Sequence, residues 1–89
     1  MPYIPAANRT KFDPTIYTAL KDLIKPDKSF DPGELNFLIS KIVWSIFDNN
    51  PRYRTANDII GVLECLKLEI YRKKIAPYED LKEQENGKI

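Results

Sequence analysis

Two arginines flank a tyrosine at Arg52-Tyr53-Arg54, directly after Asn50-Pro51 and ahead of a helical pattern. Guanidinium groups are planar forks that match phosphate and carboxylate oxygens. Unbonded N–H groups at a helix start add donors and the positive end of the dipole. A tyrosine ring between two cations offers a stacking surface for a base. These residue types in this order suit an anionic ligand of nucleotide kind. The plainer reading is a solvated turn whose tyrosine packs back on the core. Arg72-Lys73-Lys74 is a second basic run. Its natural place is the last turn of a helix, where positive charge complements the dipole.

Other chemistry has little to work with. The chain has no histidine, the commonest general base. Cys65 is its one cysteine, set among Leu63, Leu66 and Leu68 with Glu64 adjacent. Apolar neighbours and a carboxylate disfavour a thiolate, so Cys65 reads as a small packing residue. One thiol without imidazoles cannot complete a tetrahedral zinc set. No carboxylate spacing suggests a metal cage or acid–base work. The expectation is a non-enzymatic protein with no metal and no cofactor.

The elements that hold these residues are three helices with well-signalled starts. Asp13-Pro14 reads as an N-cap followed by proline at the first helical position, where a missing N–H costs nothing. Helix one is expected over 14–25, with Ile16, Leu20, Leu23 and Ile24 on one face. Pro26 ends it, because the residue before proline avoids the helical region. Asp31-Pro32-Gly33-Glu34 repeats the device and opens helix two over 32–48. Asn49-Asn50-Pro51 stops it. Thr55, with Asp58 three residues on, reads as the cap of helix three over 56–75. Glu64 with Lys67, and Glu69 with Lys73, are spaced to pair along it. Pro77 breaks it, and 77–89 is expected as a short helix or polar tail. Residues 1–12 form an N-terminal arm.

Helices two and three each carry two apolar faces, whereas a surface helix of a small domain needs one stripe. Helix two has Leu35, Leu38, Ile39, Ile42 and Ile46 on its main face, and Phe37, Trp44 and Phe47 on the other. Helix three has Ile59, Leu63, Leu66 and Ile70 on one side, and Gly61, Cys65, Leu68 and Ile75 opposite. Cover from within the chain, by helix one, the tail and Tyr3, Ile4 and Phe12 of the arm, is one solution. A subunit interface through Phe37, Trp44, Phe47, Gly61, Cys65, Leu68 and Ile75 is the favoured one. Gly61 also lets another helix approach closely.

Composition points the same way. Eighty-nine residues allow one domain, 1–89, with a marginal core. Disulfides and zinc are excluded as internal staples, which leaves oligomerisation. Net charge is +1, split as +3 over residues 1–78 and −2 over 79–89. So small a charge makes nucleic acid a weaker candidate partner. No apolar run reaches the roughly 18 residues of a membrane span. Met1-Pro2-Tyr3-Ile4-Pro5 has no signal-peptide core, so a reducing cytoplasm is expected.

The opening MPYI, the block GELNFLI at Gly33–Ile39 and the run IIGVLECLKLEIYRKKIAPYEDLKEQENG at Ile59–Gly87 resemble a family of short uncharacterised proteins encoded in phage genomes and in bacteria. The likeness spans nearly the whole chain. Leu66 is bulkier than the small residue typical there, and Phe37 stands in place of a tyrosine. The resemblance brings no catalytic or binding residue with it. It implies a small, phage-encoded protein acting in the host cytoplasm as a binder or inhibitor.

The expected architecture is all-α, three main helices with short loops, helices two and three an antiparallel pair, assembled as a helical oligomer. The expected function is a self-associating accessory protein that binds another protein, such as a host protein. The alternative is a module that binds or sequesters a nucleotide through Arg52, Tyr53 and Arg54.

Overall fold

The structure, a computed structural model, describes residues 2–89 and is all-helical. Four α-helices run in order: α1 (Asp13–Leu23), α2 (Pro32–Asn49), α3 (Tyr53–Ile70) and α4 (Ala76–Asn86). Two short 3-10 turns precede α1, and a π-helical segment, Tyr71–Ile75, lies between α3 and α4. The described chain separates into two compact parts, Tyr3–Ala56 and Asn57–Ile89 with Pro2.

In the first part, the approach to α1 differs from expectation. Asp13 is not the cap but already lies within the helix, and Phe12 takes the cap position without a side-chain hydrogen bond. The reason lies upstream. Asn8 N–H donates to the Pro5 carbonyl at 2.8 Å, Arg9 N–H to Ala6 at 3.1 Å and Phe12 N–H to Arg9 at 3.0 Å. The arm is therefore already turning when it reaches Asp13, and Arg9 Nε pins it by donating to the Ile4 carbonyl at 2.7 Å. Asp13 still places its charge in the first turn, where the dipole favours it.

The loop after α1 is tied by its own residues. Ile24 is extended, one residue earlier than Pro26 requires. Lys28 N–H donates to the Lys25 carbonyl at 2.8 Å, and Lys25 N–H to Ser29 at 2.9 Å. Lys28 takes a left-handed conformation, φ 70°, to close this turn. Asp27 accepts from both the N–H and the hydroxyl of Ser29. The Ser29 hydroxyl first, then its N–H, hold the Asp27 carboxyl below its ordinary range.

Asp31 caps α2 as the sequence implies, its carboxylate accepting from Gly33 N–H at 2.8 Å. At the other end the Asn49 amide donates to the Ser45 carbonyl at 2.8 Å, and Asn50 N–H to Phe47 at 2.9 Å.

In the second part, Pro77 does not break the helix. Proline has no N–H, and its ring strikes the carbonyl four residues back in an α-helix. The chain answers by widening one turn: Ala76 N–H donates to the Tyr71 carbonyl, five residues earlier. The π turn moves the ladder past the proline, which then sits in the first turn of α4. Glu69 pairs with Arg72 at 2.9 Å, three residues on, and Glu64 with Lys67 at 3.1 Å. Gly87, φ 91°, ends α4 with its N–H on the Glu83 carbonyl at 2.8 Å.

No described residue is buried. The face of α1 expected to be covered, Ile16, Leu20 and Ile24, is about half exposed, and only Ala19 and Leu23 reach intermediate burial. On α2 the half-buried edge is Leu35, Leu38, Ile39 and Val43, while Ile42 and Ile46 stay open. Tyr3, Ile4 and Phe12 of the arm are exposed as well.

Replacing Pro77 with Ala restores an N–H and removes the ring, so Tyr71–Ile75 should return to α-helical bonding. Urea unfolding is expected to show a gain of about 1–2 kcal/mol. A lowered or unchanged midpoint would mean that the ring does not set the π turn.

Candidate functional site

The basic turn opens α3 directly. Arg52 N–H donates to the Asn50 carbonyl at 2.9 Å, and the Arg52 carbonyl accepts Ala56 N–H at 3.0 Å. Helix three thus begins at Tyr53 rather than Ala56. Thr55 lies inside its first turn, half-buried, and is not the cap. The shift has a local cause. The turn at Asn50–Arg52 already aims the chain, so helical bonding starts two residues before the hydroxyl. Tyr53 is 92% exposed and does not pack back on a core. Arg52 and Arg54 are exposed beside it. The segment therefore presents two guanidinium groups, one open ring and the unbonded N–H groups of a helix start.

The apolar residues singled out for an interface remain open to solvent on each element. On α2, Phe37 is 64% exposed, Trp44 68% and Phe47 36%. A shallow groove of about 620 Å³ runs along α2 between Phe37 and Trp44, past Pro32, Gly33, Asn36, Ser40 and Lys41. On α3, Leu68 is exposed and Cys65 is half-buried with a free thiol. Nothing lies within 4 Å of the position a Cβ would take at Gly61, so this backbone is open to close approach. Ile75 sits in the π segment. Each residue of a wider turn advances through a smaller angle, so Ile75 does not keep the phase of Gly61, Cys65 and Leu68.

One surface was not evident from the apolar pattern. Between α1 and α2 lies an open groove of about 870 Å³. Ala19, Leu23, Phe37, Leu38 and Ile42 contribute its apolar surface, and Asp22, Asp31 and Glu34 its carboxylates. Along the α1 wall Thr15, Thr18, Ala19 and Asp22 form one helical face of small and polar residues, with Pro14 and Leu23 beside them. That spacing was present in the sequence, but small residues carry no apolar signal.

In the second part, a side-chain link spans the π turn. The Tyr71 hydroxyl donates to the Glu79 carboxylate. This hydrogen bond first, and the Glu79 charge second, raise the Tyr71 pKa above its ordinary value. Arg72 is held by both Glu69 oxygens, at 2.9 and 3.1 Å, and the Lys82 ammonium lies 5.5 Å from the Tyr78 ring centre. Among the described residues no cluster of three or more His, Cys, Asp or Glu is placed to hold a metal ion. No helix among them is long and apolar enough to cross a membrane.

A family model described as a domain of unknown function, DUF6899, matches residues 1–89. The chain belongs to this family. The match covers the arm, all four helices and the π segment, so these features lie within one family unit. No curated protein and no solved structure matches the chain.

The raised Tyr71 pKa fixes a sign. Stabilisation from the Tyr71–Glu79 pair is complete below the ordinary tyrosine range and fades as pH rises through the folded value. Glu79→Gln removes the charged acceptor. Ring-resolved NMR titration should then show the Tyr71 pKa falling toward about 10, its ordinary value. An unmoved titration would show that Glu79 does not hold the phenol.

Proposed function

We propose that this chain is a self-associating helical interaction module, a binder of protein surfaces with no reaction of its own. The observation that carries the reading is the open aromatic face of α2. Phe37 and Trp44 are about two-thirds exposed on one groove-lined face, in a chain with no buried residue among those described. Large aromatic side chains in water are costly, and they are the residues that dominate protein–protein contacts.

The resemblance to proteins of phage and bacterial genomes supports a setting for this role. We place the chain in the host cytoplasm, as an accessory protein whose helical faces first meet a second copy and then a host protein. The free thiol of Cys65 and the lack of any membrane-spanning helix among the described residues are compatible with that setting.

The test uses Trp44, the sole tryptophan. Sedimentation equilibrium at micromolar concentration should give an oligomer, and Trp44 emission should shift to the blue as concentration rises. Replacing Phe37 and Trp44 together with Ala removes about 3–6 kcal/mol of burial and should leave a monomer. A wild-type chain that is monomeric throughout this range overturns the reading.

One observation favours a second reading, a nucleotide-binding role. Tyr53 stands almost fully exposed at the start of α3 between Arg52 and Arg54. If this segment holds an anionic base-bearing ligand, ATP or GTP should raise the thermal midpoint, because a ligand bound only by the folded state stabilises it. Arg52→Ala with Arg54→Ala should abolish binding in calorimetry. Equal binding by the double variant removes the idea.

A further inference from the structure

We propose that the groove between α1 and α2 is a docking site for an amphipathic helix of another protein, one with an apolar stripe and lysine or arginine at one end. The inference rests on the reading of this chain as a binder of protein surfaces and names the partner's chemistry. It does not require self-association.

Both walls of the groove are helical stripes. On α1 Thr15, Thr18, Ala19 and Asp22 share one face, and on α2 Glu34, Phe37, Leu38 and Ile42 share another. The lining runs from Pro14 to Leu23 on one wall and from Gly33 to Ile42 on the other, about 14 Å at the helical rise. That is the length of about nine helical residues. The small residues of α1 let a third backbone come close. Phe37 and Ile42, at least half exposed, give it apolar surface. A small molecule lying in so open a groove would stay wet, whereas small-ligand sites enclose most of their ligand. A helix laid along the groove covers both walls at once.

The carboxylates select the charge of the occupant. Asp22, Asp31 and Glu34 line the groove, and no lysine or arginine does. Lys21 and Lys25, close to Asp22 in sequence, and Lys41 of α2 lie outside the lining. The three acids gather at one end, because the hydrogen-bonded loop Lys25–Ser29 joins the end of α1 to the start of α2. Asp31 is engaged as the cap of α2. Asp22 and Glu34 make no hydrogen bond or ion pair among the described residues.

Glu34 suits its place in the first turn of α2, where the dipole favours an anion. Asp22 does not suit its own. It lies in the last turn of α1, the end at which negative charge is disfavoured. An unpaired charge that its own helix is better without, on the wall of an apolar groove, fits a role outside the fold. The occupant that satisfies this end is cationic there, and an acidic helix is repelled.

The probe is a fluorescein-labelled leucine–lysine peptide of about 15 residues, long enough to become helical, with its leucines at helical spacing. A leucine–glutamate peptide of the same pattern is the control. By fluorescence anisotropy the full chain should bind the lysine peptide at least ~10-fold more tightly than the glutamate one. Asp22→Asn with Glu34→Gln should weaken that binding about 5–10-fold. Thr18→Trp fills the groove and leaves its charges, and should weaken binding at least as much. Circular dichroism checks its helices; if they are lost, the charge variant decides alone. Asp22→Asn by itself should hold or raise the thermal midpoint, since it relieves the dipole of α1. A lowered midpoint overturns the assignment of Asp22 to a partner. Equal binding of the two peptides, or undiminished binding by the variants, overturns the inference. So does a wild-type oligomer that Thr18→Trp dissociates, which would put a second copy in the groove. Self-association through Phe37 and Trp44 is read separately by sedimentation and stands or falls without the peptide results.

Discussion

Covering apolar surface is the constraint to which every part of this chain answers. A helix forms from local signals, because its backbone bonds close within a few residues. The stripes it displays stabilise the fold only when something displaces water from them. Here the local signals are strong and the cover within the described chain is thin. Side chains such as Ile42, Ile46 and Leu68 stay largely wet, and the best-covered residues, on the edges of α2 and α3 with Ala19 and Leu23 of α1, reach only intermediate burial. A single free cysteine and no histidine close the other routes by which small domains are stapled. On the self-association proposed above, folding and association are one process, and stability depends on the concentration of the chain.

The helices were legible in the sequence because their signals are short-range. Asp31 is the clear case: a carboxylate two residues before a glycine N–H needs nothing else to act. Asp13 and Thr55 carry the same chemistry but do not cap. In both places the preceding backbone is already turned, by 3-10 bonds in the arm and by the Asn50–Arg52 turn. A cap residue acts only where the chain arrives extended, and that is decided upstream of the motif. The usual effect of a proline such as Pro77 is to break an α-helix. The π turn is the less common answer to the same missing N–H, and no local propensity distinguishes the two.

The candidate surfaces were legible in part. The aromatic face of α2 follows from period alone, and Phe37 and Trp44 are where that period puts them. Tyr53 stands out between two arginines, but its exposure does not follow from the sequence, since nothing local says whether a tyrosine finds a core to pack on. The α1–α2 groove does not show in the apolar pattern because its lining is shared: small and polar residues with Leu23 on α1, and two carboxylates with three large apolar side chains on α2 and its cap. Such a surface is a property of two elements together. Its acidic edge gives the apolar faces a polarity, so that not every apolar helix is an equal occupant.

The π turn has a meaning for how this chain tolerates change. Between Tyr71 and Ala76 it holds one residue more than α-helical bonding would use. A deletion within 71–75 would therefore shorten the chain yet return the segment to ordinary helical pitch, whereas the same loss within α3 would rotate its stripe by about 100°. The segment acts as slack in the reading frame of the helix. Length can vary there while the lateral faces of α3 keep their alignment.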